Sequence, residues 1–235
     1  MKKIFLAVLL CSMCMSCSSQ IMSNIATKGH NKYFMPIKTV SKENDKEIII
    51  MGMSHLAEQS FYDKVAFKVD SLRDLGYVVH YEGLKISVSE DEKVNDIYER
   101  KFRKLTNDAL YASDSGKKKK KHKQFVYQMD VYHGVDYRND IWNDASTKDL
   151  IDEYEKQFGE VVLSDCDLES SLDEKYKCGK TNGKIRHHIL YSLREQIMVE
   201  NLMNEKNNKI VFVVGNKHTP SLMDRLKKRG FVFTH

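Results

Sequence analysis

The sequence predicts a single α/β domain, a mixed, largely parallel sheet with helices on both faces. Two apolar, β-branched runs, Glu47-Ile-Ile-Ile-Met-Gly52 and Lys209-Ile-Val-Phe-Val-Val-Gly215, lie near the two ends of the 235-residue chain. Continuous apolar runs of this length suit strands buried on both sides. From Glu47 to Glu82 the pattern runs strand, helix, strand, about the minimum length for a parallel crossover. Strands alternate with helices again at the C-terminus, as a sheet covered on both faces requires.

The chain opens with an export signal. Lys2 and Lys3 precede an apolar stretch, Ile4 to Leu10, too short to span a bilayer. Ser16-Cys17 resembles the processing site of a bacterial lipoprotein, with Cys17 as the lipidated residue, although Cys14 stands where a leucine is usual. The alternative is an ordinary cleaved signal peptide. No later stretch is apolar for ~18 residues, so the mature chain is expected to be anchored to a membrane by lipid rather than to span it. The expected organisation is a signal over 1–17, a tether and entry segment over 18–43, and the α/β domain over 44–235.

Within the domain, Phe61, Val65, Val69, Leu72 and Leu75 line one face of a helix that Gly76 ends. Tyr77-Val-Val-His-Tyr-Glu82 is the second strand. A charged helix follows from about Glu90 to Ala112, and Phe125-Val-Tyr-Gln128 is a candidate third strand. Thr147 to Phe158 reads as a helix, with Ser146 or Thr147 as its cap and Gly159 beyond it. Residues 160–184 have no periodicity, and Arg186 to Asn204 reads as a long helix. After the Lys209–Gly215 strand, Pro220 sits near a helix start, and Gly230 precedes a last strand, Phe231-Val-Phe233.

Charge excludes one class of partner. The formal net charge is +5; without Lys2 and Lys3 it is +3, and without the six lysines between Lys117 and Lys123 it is about −3. The basic character is therefore one loop, read as solvated or as touching anionic lipid or polysaccharide. No aromatic interleaving accompanies it, and no nucleic acid is expected as a partner. Once the signal has left and Cys17 carries lipid, Cys166 and Cys178 remain. In an exported protein an even pair suggests a disulfide, the alternative being two free thiols.

Three strand ends carry the candidate chemistry. Ile50-Met-Gly-Met-Ser-His55 and Val213-Val-Gly-Asn-Lys-His218 share one plan: an apolar strand, Gly-x-x-His, then a helix. Tyr81-Glu82-Gly83 closes another strand. In open α/β sheets, ligands bind outside the carboxyl ends of the strands, so His55, Glu82 and His218 are expected at one edge. Two imidazoles and a carboxylate suit a divalent metal with open positions, or metal-free acid–base chemistry. A lone strand-exit histidine is more often a turn residue; the repeated plan is what argues for a site.

These same residues resemble the TraB, GumN and TIKI superfamily: I-M-G-M-S-H, then Y-E-G about thirty residues later, then V-V-G-N-K-H-T-P-S-L near the end. The resemblance spans roughly residues 47 to 235. It implies an α/β fold related to the ChaN and erythromycin-esterase group, an active site of two Gly-x-x-His motifs and a glutamate, and, from TIKI members, metal-dependent peptidase activity. The implied catalytic and metal-binding set is His55, Glu82 and His218, with manganese, cobalt or zinc as the metal. Arg194 matches an arginine that the family carries in its last long helix; Arg186 is the other candidate, and Arg138 lies in a polar stretch expected near the site. Lys217 and Thr219 depart from the family pattern, and a lysine beside the site would repel a cation. The expected function is a hydrolase of peptides or small molecules at a bacterial cell envelope, on the outer membrane if the cell has one. The alternative is a non-enzymatic lipoprotein that binds a peptide or other ligand in the same cleft. His187 and His188 point to different sides of a helix and cannot chelate together; His80 alternates in phase with Glu82.

Overall fold

The computed structural model describes residues 37–41, 45–86, 89–108, 110 and 125–234. The segment expected to be an export signal, Cys17, most of the segment expected to be a tether and the lysine run lie outside these residues. Six strands form the main sheet, in the order β6-β4-β7-β2-β1-β8. They are β1 (Ile37–Ser41), β2 (Glu47–Met53), β4 (Val78–Tyr81), β6 (Ile141–Trp142), β7 (Lys209–Gly215) and β8 (Phe231–Thr234). β6, β4, β7 and β2 run parallel, and β1 is antiparallel to both β2 and β8. The sheet is thus mixed and mostly parallel within one α/β domain, as the sequence predicts.

The two apolar runs are neighbours at its centre, paired from Glu47 with Lys209 to Met53 with Gly215. Strand alternation divides their side chains between two cores. Ile49, Met51, Met53, Val211 and Val213 meet Val65, Val69 and Leu72 of helix α1 (Gln59–Asp74). Ile48, Ile50, Ile210, Phe212 and Val214 meet helix α6 (Arg194–Asn204) through Met198, Val199 and Leu202, and helix α7 (Thr219–Lys228) through Leu222 and Leu226. A third cluster, built on Phe102, Leu150, Ile151, Ile189 and Leu193, joins α2 (Glu92–Thr106) and α3 (Thr147–Phe158) to the helix leading into α6. Ser146 and Asp149 form a capping box at the start of α3.

Several details differ from the sequence expectation, among them the end of α2 at Thr106 rather than near Ala112. β1 falls in the stretch read as tether and entry segment, so the sheet begins before residue 44. The candidate strand at 125–128 forms only β5 (Val126–Tyr127), which pairs with β3 (Leu56–Ala57) outside the main sheet. The third strand of the parallel set is instead β6, whose two residues show no readable alternation. The long helix starts earlier, as α5 (Gly183–His187), and passes through a π-helical segment, His188–Leu193, before α6.

Cys166 and Cys178 are bonded to each other. Their loop holds helix α4 (Asp165–Glu169) and docks on α2: Arg100 donates to the carbonyls of Asp167 and Ser170, both at 2.8 Å, and Lys104 pairs with Asp167 at 2.6 Å. Arg103, fully buried, donates to the Ser171 carbonyl. Replacing both cysteines by serine is expected to lower unfolding stability by about 2–3 kcal/mol through the freed loop. Thermal unfolding with and without reductant checks this: the wild type loses stability in reductant and the double variant does not.

Candidate active site

Glu82 follows β4 and continues its ladder, its N–H donating to Val213 at 3.0 Å. Its carboxylate then crosses to the end of β7, where Oε2 accepts from the Gly215 N–H at 2.5 Å. A Cβ at residue 215 would lie 3.0 Å from that oxygen, so a side chain there would press the carboxylate back by a few tenths of an ångström. His218 follows the turn Gly215-Asn216-Lys217 and sits at the N-cap of α7. Its Nε2 lies 3.3 Å from Glu82 Oε1 and its Nδ1 3.0 Å from Glu195 Oε1. Arg194, on α6, donates from Nη2 to Glu82 Oε1 at 2.8 Å and from Nε to Asp144 Oδ1 at 3.0 Å; Nη2 also reaches Asp144 Oδ2. Asp144, beyond β6, further accepts from the N–H groups of Gly83 and Ala145.

The result is a chain of alternating charge. Asp144, Arg194, Glu82, His218 and Glu195 follow one another at hydrogen-bond distance, and Arg225 Nε of α7 stands 4.0 Å from Glu195. Asp144, Glu195 and His218 are buried at 1, 4 and 5% exposure. Burial alone would raise the Glu82 pKa, but the His218 hydrogen bond, the Arg194 and His218 charges and the Gly215 N–H outweigh it and hold it at about 2. Burial alone would lower His218; Glu195 and Glu82 overcome it and raise the imidazole to about 9. Burial raises Asp144 despite its bonds to Arg194. At neutral pH, Glu82 is therefore a carboxylate and His218 an imidazolium that donates from both nitrogens.

Of the residues expected together, ion pairs join Glu82 to Arg194 and His218 and do not include His55. Its ring is exposed, and no hydrogen bond or ion pair joins it to Glu82 or His218. The reason is register. Gly215 ends β7, but Gly52 lies inside β2, because Met53 still pairs with Gly215. After Ser54 and His55 the chain enters β3, and the His55 carbonyl accepts from the Gln128 N–H. The two Gly-x-x-His segments thus leave the sheet differently. Arg186 bonds the Thr106 carbonyl and Asp108 instead, and exposed Arg138 donates its backbone N–H to Asp136 Oδ1. His80 is buried but faces Glu205, 3.3 Å away. His187 stacks on Tyr191, whose ring lies 5.3 Å from that of His218, and His188 meets Phe158 edge-on. Lys217 is exposed.

Asp144 and Glu195 were not legible as site residues. Asp144 follows a two-residue strand, and Glu195 adjoins Arg194 on a helix, where neighbours ordinarily face apart. The available signal was a carboxylate just before the Ser146 capping box.

A divalent ion does not fit these residues as they are arranged. Both nitrogens of His218 face carboxylates, and the oxygens of Glu82 and Asp144 accept from Arg194, His218 and backbone N–H groups. A cation would have to displace Arg194 and deprotonate His218. Among the described residues, no group of three His, Cys, Asp or Glu side chains is placed to hold a metal. The arrangement suits charge-assisted acid–base chemistry.

No family model matches the chain, and no curated protein or solved structure matches it. The TraB, GumN and TIKI resemblance stands on the strand-end residues alone. Among the described residues no helix is long and apolar enough to cross a membrane.

Proposed function

We propose that this chain is a TraB-like hydrolase of amide or ester bonds, held at a bacterial envelope by lipid on Cys17. The observation that carries the reading is the Glu82–His218 contact, 3.3 Å, at the carboxyl ends of adjacent parallel strands. Strongly perturbed titrating groups gathered at such an edge are a functional-site signature.

In this reading a substrate carbonyl enters between Glu82 and His218. Arg194 uses Nε and Nη2 for its carboxylate bonds, leaving Nη1 to polarise the carbonyl oxygen. Separation from His218 removes the hydrogen bond and the charge that most depress Glu82, so its basicity rises although Arg194 and the Gly215 N–H still hold it down. Glu82 takes a proton from water as the water oxygen bonds to the carbonyl carbon. The bond to the leaving nitrogen or oxygen breaks, and that atom takes the His218 proton. Proton transfer from Glu82 to His218 restores the starting state.

A second reading, ligand binding without chemistry, is favoured by one observation: a carboxylate held near 2 is a weak base until something separates the pair. Incubation of the full chain with a panel of peptides and esters, followed by mass spectrometry, distinguishes the two. Cleaved products support the hydrolase, and a bound but intact ligand supports the binder.

A further inference from the structure

His218 lies between two carboxylates, and acid–base chemistry with substrate needs only Glu82. Glu195 approaches the ring nitrogen that faces away from Glu82, its Oε1 3.0 Å from His218 Nδ1. It is nearly fully buried, and its other oxygen stands 4.0 Å from Arg225 Nε. Arg225 is itself fixed by donating to the Ser192 carbonyl at 3.0 Å, in the π-helical segment just before α6. The Tyr191 ring of that segment lies 5.3 Å from the His218 ring, tilted by 37°. Ring plane and proton position are thus set from α6, α7 and the π-helical segment together. Such a chain holds an imidazole in one orientation while its far nitrogen faces the reacting atoms.

We propose that Glu195 is a positioning residue for the reaction: it fixes the His218 ring and keeps its Nδ1 protonated, so that Nε2 delivers the proton to the leaving group. This rests on the hydrolase reading for its catalytic meaning, but the structural part stands apart from it. The groups facing His218 are Glu82 after β4, Asp144 after β6 through Arg194, Tyr191 on the π-helical segment, Arg194 and Glu195 on α6, and Arg225 on α7. Lys217, next in sequence, is exposed. Of these, only Glu195 reaches Nδ1.

The test is a histidine side-chain NMR titration of the full chain, with His218 assigned by the loss of its signals in His218→Gln. In the wild type the ring stays protonated on both nitrogens through neutral pH. In Glu195→Gln its proton affinity falls at least ~10-fold, and the high-pH limb of any hydrolysis profile falls with it. An unchanged titration overturns the proposal, as does a shifted titration with an unmoved kinetic limb. The wild type supplies a second test should Glu195→Gln fail to fold: the Nδ1 proton is expected at low field and slow to exchange, and an ordinary, rapidly exchanging signal overturns the proposal. If the wild type hydrolyses nothing, the proposed function fails, while both NMR results still decide whether Glu195 positions the ring.

Discussion

Arg194→Ala is expected to destabilise the domain by about 3–5 kcal/mol, the cost of removing one partner from a buried ionic group. Asp144 has no exposed side-chain surface, and Glu82 and Arg194 have little. Without the guanidinium, two carboxylates that already repel each other share a desolvated corner with only backbone N–H groups to help. Against a typical domain stability of ~5–15 kcal/mol, the loss lowers the melting temperature by roughly 10 °C. Arg194→Lys recovers only part of it, because an ammonium cannot fork between Glu82 and Asp144 as the guanidinium does. Acid narrows the gap. The Glu82 pKa is depressed in the fold, so its stabilisation is fully present above its ordinary value near 4.5 and is lost as pH falls through about 2. Denaturant unfolding of wild type and variant at neutral pH and near pH 3 measures both effects. Equal stability at neutral pH would show that the carboxylates do not depend on Arg194.

Glu82→Gln is expected to reduce the proposed hydrolysis by roughly 10²–10⁴-fold, the usual contribution of a positioned proton-transfer group. Glutamine keeps the shape of the side chain, and its amide oxygen can still accept from the Gly215 N–H. It cannot take a proton from water, and it no longer raises the proton affinity of His218. The rate therefore falls for two linked reasons, while the fold is retained in large part. Turnover per folded molecule, with the folded fraction measured by circular dichroism, separates the chemical loss from any structural one. Undiminished turnover would remove Glu82 from the chemistry.

The fold was legible where apolar periodicity was strong. The Glu47–Gly52 and Lys209–Gly215 runs are buried on both sides and pair in full, and helix α1 follows its spacing from Phe61 to Leu72. Short strands escaped notice for a physical reason. β6 has two residues, so alternation has nothing to repeat, and Asp144 behind it was missed. His55 stays outside the ion-paired group: its motif matches that of His218 in sequence, while the strands differ by one residue in pairing. Arg194 was found through resemblance; Glu195 was missed because its partner, His218, lies 23 positions away, which no local spacing rule reaches.

In the proposed reaction the Glu82–His218 pair activates water against a carbonyl. Incubating the full chain with the peptide and ester panel in ¹⁸O-labelled water, then reading the products by mass spectrometry, tests it most directly. The expected result is cleavage with one ¹⁸O atom in the newly formed carboxylate, reduced roughly 10²–10⁴-fold in Glu82→Gln. Recovery of the whole panel uncleaved and unlabelled would contradict it.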